Sequence, residues 1–188
     1  MSDKQRGIPG ARNVDHVAYT VPDLDQAIDF FVEVIGADLL YRIGPVEDKT
    51  GDWMTTQLAV HRDASVHIAM LRLGPVTNLE LFEYTAPEQR RELPRNSDWG
   101  GHHLAIHVED VDVAVAYLRA QPGVTVLGEP QTIDDEGPIH GDRWVYFRTP
   151  WGMQMEVLNM PKGMPYERHT SARLYGPAPS WTAAEDER

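Results

Sequence analysis

Four residues of the chain combine types and positions that could bind a divalent metal. His16 and Glu80 lie in the first half of the sequence, and His103 and Glu156 lie in the second half. Imidazole nitrogens together with carboxylate oxygens suit zinc, manganese, iron, cobalt or nickel, and this donor set does not choose among them. The sequence therefore predicts metal chemistry if the fold brings these side chains together.

The two halves of the chain repeat one pattern. Residues 15–31, "DHVAYTVPDLDQAIDFF", align without a gap with residues 102–118, "HHLAIHVEDVDVAVAYL", and His16 aligns with His103. Each copy begins with strand-like alternation, continues with an aspartate suited to cap a helix, and ends with apolar residues at helical spacing. Strand-like runs follow each helix, among them residues 54–60, "MTTQLAV". We therefore predict an α+β fold of two tandem βαβββ modules, which form a curved sheet around a metal-binding cavity.

The composition of the segments between and around the copies predicts the domain boundaries. The connector is charged and contains proline, and the region after the second copy is rich in proline, glycine and charge. We expect the tail from Met160 onward to be an arm that wraps around the domain and ends in a disordered segment over residues 183–188. The predicted segments are an N-terminal extension (1–12), a domain (13–160) made of module one (13–84), a linker (85–99) and module two (100–160), and a C-terminal arm (161–188).

Strand alternation predicts where the two glutamates point. Leu79 and Leu81 are core-facing in "NLELFEY", so Glu80 and Phe82 face the other way. Glu156 has the same place between apolar residues in "MQMEVLN". A carboxylate in such a strand is costly unless it is solvated, paired or bound to a cation. For one residue a solvated sheet face explains the pattern, but the duplication favours a shared cavity with one metal ion, whose predicted ligands are His16, Glu80, His103 and Glu156.

Bulk composition excludes several classes of protein. The formal net charge of −12 and a sequence pI near 5.0 disfavour nucleic acid as a partner. The chain has no cysteine, which excludes disulfides and thiolate ligands. No apolar segment is long enough for a membrane span, and the N-terminus lacks the apolar core of a signal peptide. We expect a cytoplasmic protein that acts on a small molecule.

Several motifs together resemble the vicinal oxygen chelate superfamily, which includes glyoxalase I, methylmalonyl-CoA epimerase, extradiol dioxygenases and bleomycin-resistance proteins. The motifs span residues 13–160 and are "DHVAYTVPDLDQAIDFF", "LELFEY", "GGHHLAIHVEDVD" and "YFRTPWGMQMEVL". The resemblance implies paired βαβββ modules around one metal ion, and a homodimer. It places the family's ligand positions on His16, Glu80, His103 and Glu156.

The resemblance and the four-ligand set favour a metal-dependent isomerase or epimerase. Such an enzyme removes a proton next to the carbonyl of a small hydroxy-ketone (sugar- or cyclitol-like) or acyl substrate, and the metal stabilises the resulting enediolate. By resemblance, Glu156 is the first choice for the catalytic base, and Glu80 could serve on the opposite face. The alternatives are a glyoxalase I-like lyase, a ring-cleaving extradiol dioxygenase and a non-catalytic ligand-binding protein.

Alternation also predicts candidate substrate contacts. His107 shares the face of His103, and His67 is expected to face Glu80. If Pro150 and Trp151 form a simple hairpin turn, Arg143 shares the face of Glu156. Trp144 and Tyr146 are then expected to pack, and His102 to lie outside the site. The predicted substrate-binding residues are His107, Arg143, Phe82 and His67.

Overall fold

The computed structural model describes residues 7–182 and divides the chain into two compact units. Among the described residues, the first unit contains residues 7–87 together with 181 and 182, and the second contains residues 88–180. The predicted extension over residues 1–12 falls partly outside the described residues, and the predicted disordered end over 183–188 falls wholly outside them. Within residues 7–182, no helix has the length and apolar character needed to cross a membrane.

The first unit is a four-stranded mixed sheet with a helix packed on one face. Strand β4 lies between β1, to which it is parallel, and β3, to which it is antiparallel, and β2 forms the edge beyond β3. Its elements are β1 (His16–Thr20), α1 (Leu24–Asp29), a π-helical continuation (Phe30–Ile35), β2 (Asp38–Val46), α2 (Trp53–Leu58), β3 (Ser65–Leu73) and β4 (Thr77–Thr85).

The first helix begins and ends where the sequence predicts. The side chain of Asp23 accepts a hydrogen bond from the backbone N–H of Gln26 at 2.9 Å, which satisfies a free donor of the first turn. Gly36 ends the helical segment with φ of 85°, a conformation that glycine adopts without a steric penalty. The buried stripe of this helix covers the apolar face of the sheet, which includes Leu79 and Leu81.

The prediction of a strand over residues 54–60 is wrong, because Trp53–Leu58 form helix α2. The carboxylate of Asp48 accepts hydrogen bonds from the backbone N–H groups of Thr50, Gly51 and Trp53, and this loop starts the helix. Met54 is fully buried and anchors a cluster with Ala64 and Val66. The burial of this methionine therefore overrides the strand preference of the threonines that follow it.

Met54→Ala is expected to lower the free energy of unfolding by about 2–5 kcal/mol, because the substitution leaves a cavity under α2. Urea denaturation of the full chain measures this loss. Gln57→Ala, an exposed change on the same helix, is the matched control and should shift the free energy of unfolding by less than about 0.5 kcal/mol. Equal effects of the two variants would contradict the packing assigned to Met54.

The second unit has the same sheet order as the first. Strand β9 lies between β5, to which it is parallel, and β8, to which it is antiparallel, and β6 and β7 pair with β8. Its elements are β5 (Leu104–His107), α3 (Val111–Arg119), β6 (Thr125–Val126), β7 (Gln131–Thr132), β8 (Arg143–Arg148), β9 (Gln154–Asn159) and a 3₁₀ turn (Pro165–Arg168). Asp110 caps α3 by accepting from the backbone N–H groups of Asp112 and Val113. The predicted α+β class with repeated βαβββ order is confirmed.

Trp181 connects the end of the described chain to the first unit. Its indole N–H donates to the backbone carbonyl of Gly36 at 2.7 Å. A Cβ atom added at Gly36 or Gly74 would lie 3.2 Å from the indole of Trp181, so both positions favour glycine for close packing as well as for their positive φ. These contacts hold the indole of Trp181 against Gly36 and Gly74.

Candidate metal centre

The first His–Glu pair lies on the face of the sheet opposite α1. In the parallel pairing of β1 and β4, Ala18 lies beside Glu80, and His16 precedes Ala18 by two residues on the same face. Nε2 of His16 is 3.3 Å from a carboxylate oxygen of Glu80. Nδ1 of the same ring is 2.9 Å from Asp15. The hydrogen bond to Asp15 raises the pKa of His16, and the charge of Glu80 adds to this effect against the opposing effect of burial.

The second pair repeats this arrangement at equivalent positions. Ala105 lies beside Glu156 in the parallel pairing of β5 and β9, and His103 precedes Ala105 by two residues. Nε2 of His103 is 3.1 Å from a carboxylate oxygen of Glu156. Only 8% of Glu156 is exposed. Burial raises the pKa of Glu156, and the neighbouring ring of His103 opposes this rise.

The two histidines receive their orienting hydrogen bonds from different places. Asp15 directly precedes His16, whereas the equivalent residue before His103 is His102, whose ring interacts with the backbone carbonyl of Gly100 at 2.9 Å. Nδ1 of His103 instead lies 3.3 Å from the side-chain oxygen of Asn96, in the connector. An acceptor at Nδ1 holds that proton in place and leaves Nε2 free to bind a metal.

The donor atoms of each pair fit a divalent metal. When Nδ1–H donates, the neutral imidazole directs the lone pair of Nε2 at a carboxylate oxygen, and the two acceptor atoms repel each other. A cation or a proton between the two atoms removes this repulsion. The separation between Nε2 and the carboxylate oxygen is 3.1 Å in one pair and 3.3 Å in the other, so one ion could contact both donors of a pair. Over residues 7–182, no group of three or more His, Asp or Glu side chains lies ready to hold a metal ion, so each pair supplies two candidate ligands.

Two predicted substrate contacts lie on the expected faces. His107 pairs in register with Leu158, two residues beyond Glu156, and so shares the face of that glutamate. Phe82 lies beside Thr20 on the face of Glu80, with its ring 5.6 Å from that of Tyr84. Their contact with a substrate stays a prediction.

The expectation that His67 faces Glu80 is wrong. His67 pairs in register with Glu83, whereas Met70 is the partner of Glu80. Positions three apart on a strand point to opposite faces, so His67 lies on the side of α1. There it lines a cavity of about 330 Å³ with Leu24 and other residues of that face.

The expectation that Arg143 shares the face of Glu156 is also wrong. The connection between β8 and β9 is a five-residue loop, residues 149–153, closed by a 3.0 Å hydrogen bond from the backbone N–H of Thr149 to the carbonyl of Met153. This loop pairs Tyr146 with Glu156 and places Arg143 on the opposite face, beside Asn159. Arg143 donates to Asp112 at 2.6 Å, so it ties β8 to α3.

The same register places two aromatic residues on the face of Glu156 that sequence reasoning assigned to packing. The ring of Tyr146 lies edge-on to His103, with centroids 5.1 Å apart, and Trp144 lies 5.1 Å from Tyr146. Tyr146 is also hydrogen-bonded to Asn96, and burial raises its pKa. The sequence contains no motif that marks Asn96, although the odd length of the loop before β9 could have indicated Tyr146.

Comparison with known proteins identifies the class. The chain belongs to the glyoxalase/bleomycin resistance protein/dioxygenase superfamily, whose family model matches residues 15–140. The chain is 70% identical over 177 residues to a 2-epi-5-epi-valiolone epimerase from Actinomyces sp. This match covers 94% of this chain and 95% of the relative. It is 30% identical over 145 residues to a lactoylglutathione lyase from Arabidopsis thaliana, which covers 76% of this chain and 42% of that protein.

A solved structure of a glyoxalase family protein from Bacillus cereus has the same fold. Its TM-score is 0.57 at 24% identity, and the match covers 82% of this chain and 99% of that one. The predicted resemblance is therefore confirmed. The chain is an isomerase of the epimerase type within this superfamily, whose members commonly bind a divalent metal ion.

Proposed function

We propose that this enzyme epimerises a polyhydroxylated cyclic ketone, and that 2-epi-5-epi-valiolone is the substrate to test first. The observation that carries the proposal is the 70% identity, along nearly the whole chain, to a relative that bears that compound in its name. The polar side chains next to Glu156, those of His103 and Tyr146, also support the proposal, because such groups can form hydrogen bonds with the several hydroxyl groups of a cyclitol.

The proposed metal ligands are His16, Glu80, His103 and Glu156, as one His–Glu pair from each copy of the repeat. The matching registers of the two pairs and their Nε2–carboxylate separations support this assignment. When bound, a divalent ion supplies a Lewis acid for the carbonyl oxygen of the substrate. Zinc, manganese, cobalt, nickel and iron all suit these donors.

The protein's own part in the reaction is to move one proton. Glu156 accepts the proton of the carbon next to the carbonyl, the electron pair of that C–H bond becomes the C=C bond of the enolate form, and the carbonyl oxygen takes the negative charge. The acid form of Glu80, the candidate donor, then returns a proton to the opposite face of the same carbon and restores the carbonyl with inverted configuration. Proton exchange with water returns both carboxyl groups to their starting forms. Nothing is oxidised or reduced.

Proton exchange tests this function directly. Incubation of the enzyme with 2-epi-5-epi-valiolone in D₂O should place one deuterium on the carbon next to the carbonyl as the epimer appears, which proton NMR follows. A rate no faster than that without enzyme would overturn the proposal. Turnover of methylglyoxal with glutathione, without exchange on the cyclitol, would favour a lyase, which the 30% identical relative represents.

A homodimer and a cytoplasmic location belong to the same proposal and rest on the family resemblance. Size-exclusion chromatography with light scattering should give twice the chain mass of 21.2 kDa. A mass of one chain at micromolar concentration would contradict the dimer.

A further inference from the structure

Asp142 is a buried carboxylate that the proposed reaction does not use. It is 6% exposed, and its Oδ1 atom has no hydrogen-bond partner among the residues that the structure describes. An unpaired oxygen on a buried carboxylate destabilises the folded state. Its presence calls for a partner that residues 7–182 do not supply.

The sheet register places Asp142 on the face of Glu156. Asp142 directly precedes β8, where Trp144 and Tyr146 pair with Leu158 and Glu156. Alternation puts positions 142, 144 and 146 on one side of the sheet. His107, which pairs in register with Leu158, lies on this same face.

Backbone hydrogen bonds hold Asp142 in its loop. The backbone N–H of Asp142 donates to Ile139 at 3.1 Å, and its carbonyl accepts from Ile133 at 2.9 Å. Gly141 donates to the carbonyl of Ile133 at 2.8 Å. These bonds fix the position of the residue without its carboxylate, so the loop does not explain the buried charge.

We infer that Asp142 binds a hydroxyl group of the substrate on the face of Glu156, which it shares with His107. A carboxylate accepts hydrogen bonds only, so the ligand group must be a donor, and the ring of His107 can accept from or donate to a neighbouring hydroxyl. Adjacent hydroxyls of a polyol meet both requirements. The inference rests on the proposed function, because it assigns the recognition of the polyol to the same site, and it makes Asp142 a specificity-determining residue.

Asp142→Asn and substrate analogues that each lack one hydroxyl test the inference together. For the unchanged enzyme, removal of the hydroxyl that binds Asp142 should lower kcat/KM about 10- to 100-fold. For Asp142→Asn, kcat/KM on 2-epi-5-epi-valiolone should fall by a similar factor, mainly through KM, and removal of that same hydroxyl should then cost less than about 3-fold. Asp134→Asn, an exposed change in the same loop, is the matched control and should show the discrimination of the unchanged enzyme.

Thermal unfolding without substrate provides an independent measurement. Asp142→Asn should raise Tm by about 2–4 °C, because it removes a buried charge that lacks a partner. A structural role of the carboxylate predicts a lower Tm instead. A lower Tm together with unchanged discrimination among the analogues would overturn the inference.

The outcomes separate this inference from the proposed function. If the unchanged enzyme does not exchange the proton of 2-epi-5-epi-valiolone, the proposed function fails and this subsite fails with it. If the unchanged enzyme epimerises the compound and Asp142→Asn discriminates among the analogues equally well, only the subsite is wrong. Asp142→Ala repeats the comparison with a smaller side chain in case the asparagine variant folds poorly.

Discussion

Glu156→Gln is expected to lower kcat for epimerisation by about 10²- to 10⁴-fold and to slow deuterium exchange next to the carbonyl by a similar factor. Glutamine preserves the shape of the side chain but cannot accept the proton. Steady-state kinetics and NMR exchange at matched metal content measure the loss.

Two further variants show whether that loss is specific to Glu156. Glu80→Gln should also lower kcat for epimerisation but should keep deuterium exchange with retained configuration, because Glu156 still removes the proton while the donor on the opposite face is lost. Glu109→Gln, an exposed change after β5, should leave kcat within about 2-fold. If Glu156→Gln keeps more than a tenth of kcat with its metal in place, Glu156 is not the base.

Removal of the metal is expected to lower activity at least 100-fold. Dialysis against a chelator should produce this loss, and one of the divalent ions that suit nitrogen and oxygen donors should restore activity. The measurement is kcat before dialysis, after dialysis and after addition of each ion in turn. Full activity in a protein shown by elemental analysis to hold no metal would contradict the proposed role of the ion.

The metal-to-protein ratio tests whether the two His–Glu pairs bind one ion. The proposal expects one ion per chain, and either His16→Ala or His103→Ala should abolish it. Two independent sites would instead give two ions per chain, with one left in each variant. His102→Ala is the matched control and should keep one ion, because the ring of His102 is directed at the carbonyl of Gly100.

The repeated parts of the fold were predictable because they depend on local rules. The caps at Asp23 and Asp110 and the strand runs before them are short-range features, and the structure has them where the sequence predicts. The duplication then related His16 to His103 and Glu80 to Glu156. The registers of β1 with β4 and of β5 with β9 match in the two units, which confirms that the two pairs occupy equivalent positions.

The errors arose where tertiary packing or loop length decides the outcome. Met54 is buried by residues far from it in sequence, so the threonines beside it were read as a strand. The side of the sheet on which Arg143 lies depends on whether the loop after β8 has an odd or an even number of residues. The composition of the loop does not reveal where the strands on either side of it end. The second copy has His102 where the first copy has Asp15. Only the structure shows that the side chain of Asn96 makes the corresponding contact with His103.

The five-residue loop between β8 and β9 has a consequence for how this sequence can vary. Insertion or deletion of one residue within 149–153 would shift the pairing of β8 with β9 by one position. Arg143, Val145 and Phe147 would then lie on the face of Glu156, and Trp144 and Tyr146 would lie on the opposite face. A change of two residues would keep Trp144 and Tyr146 on the face of Glu156, although the residue paired with the glutamate would change. Only insertions or deletions of an even number of residues in this loop therefore preserve which side chains of β8 share the face of Glu156.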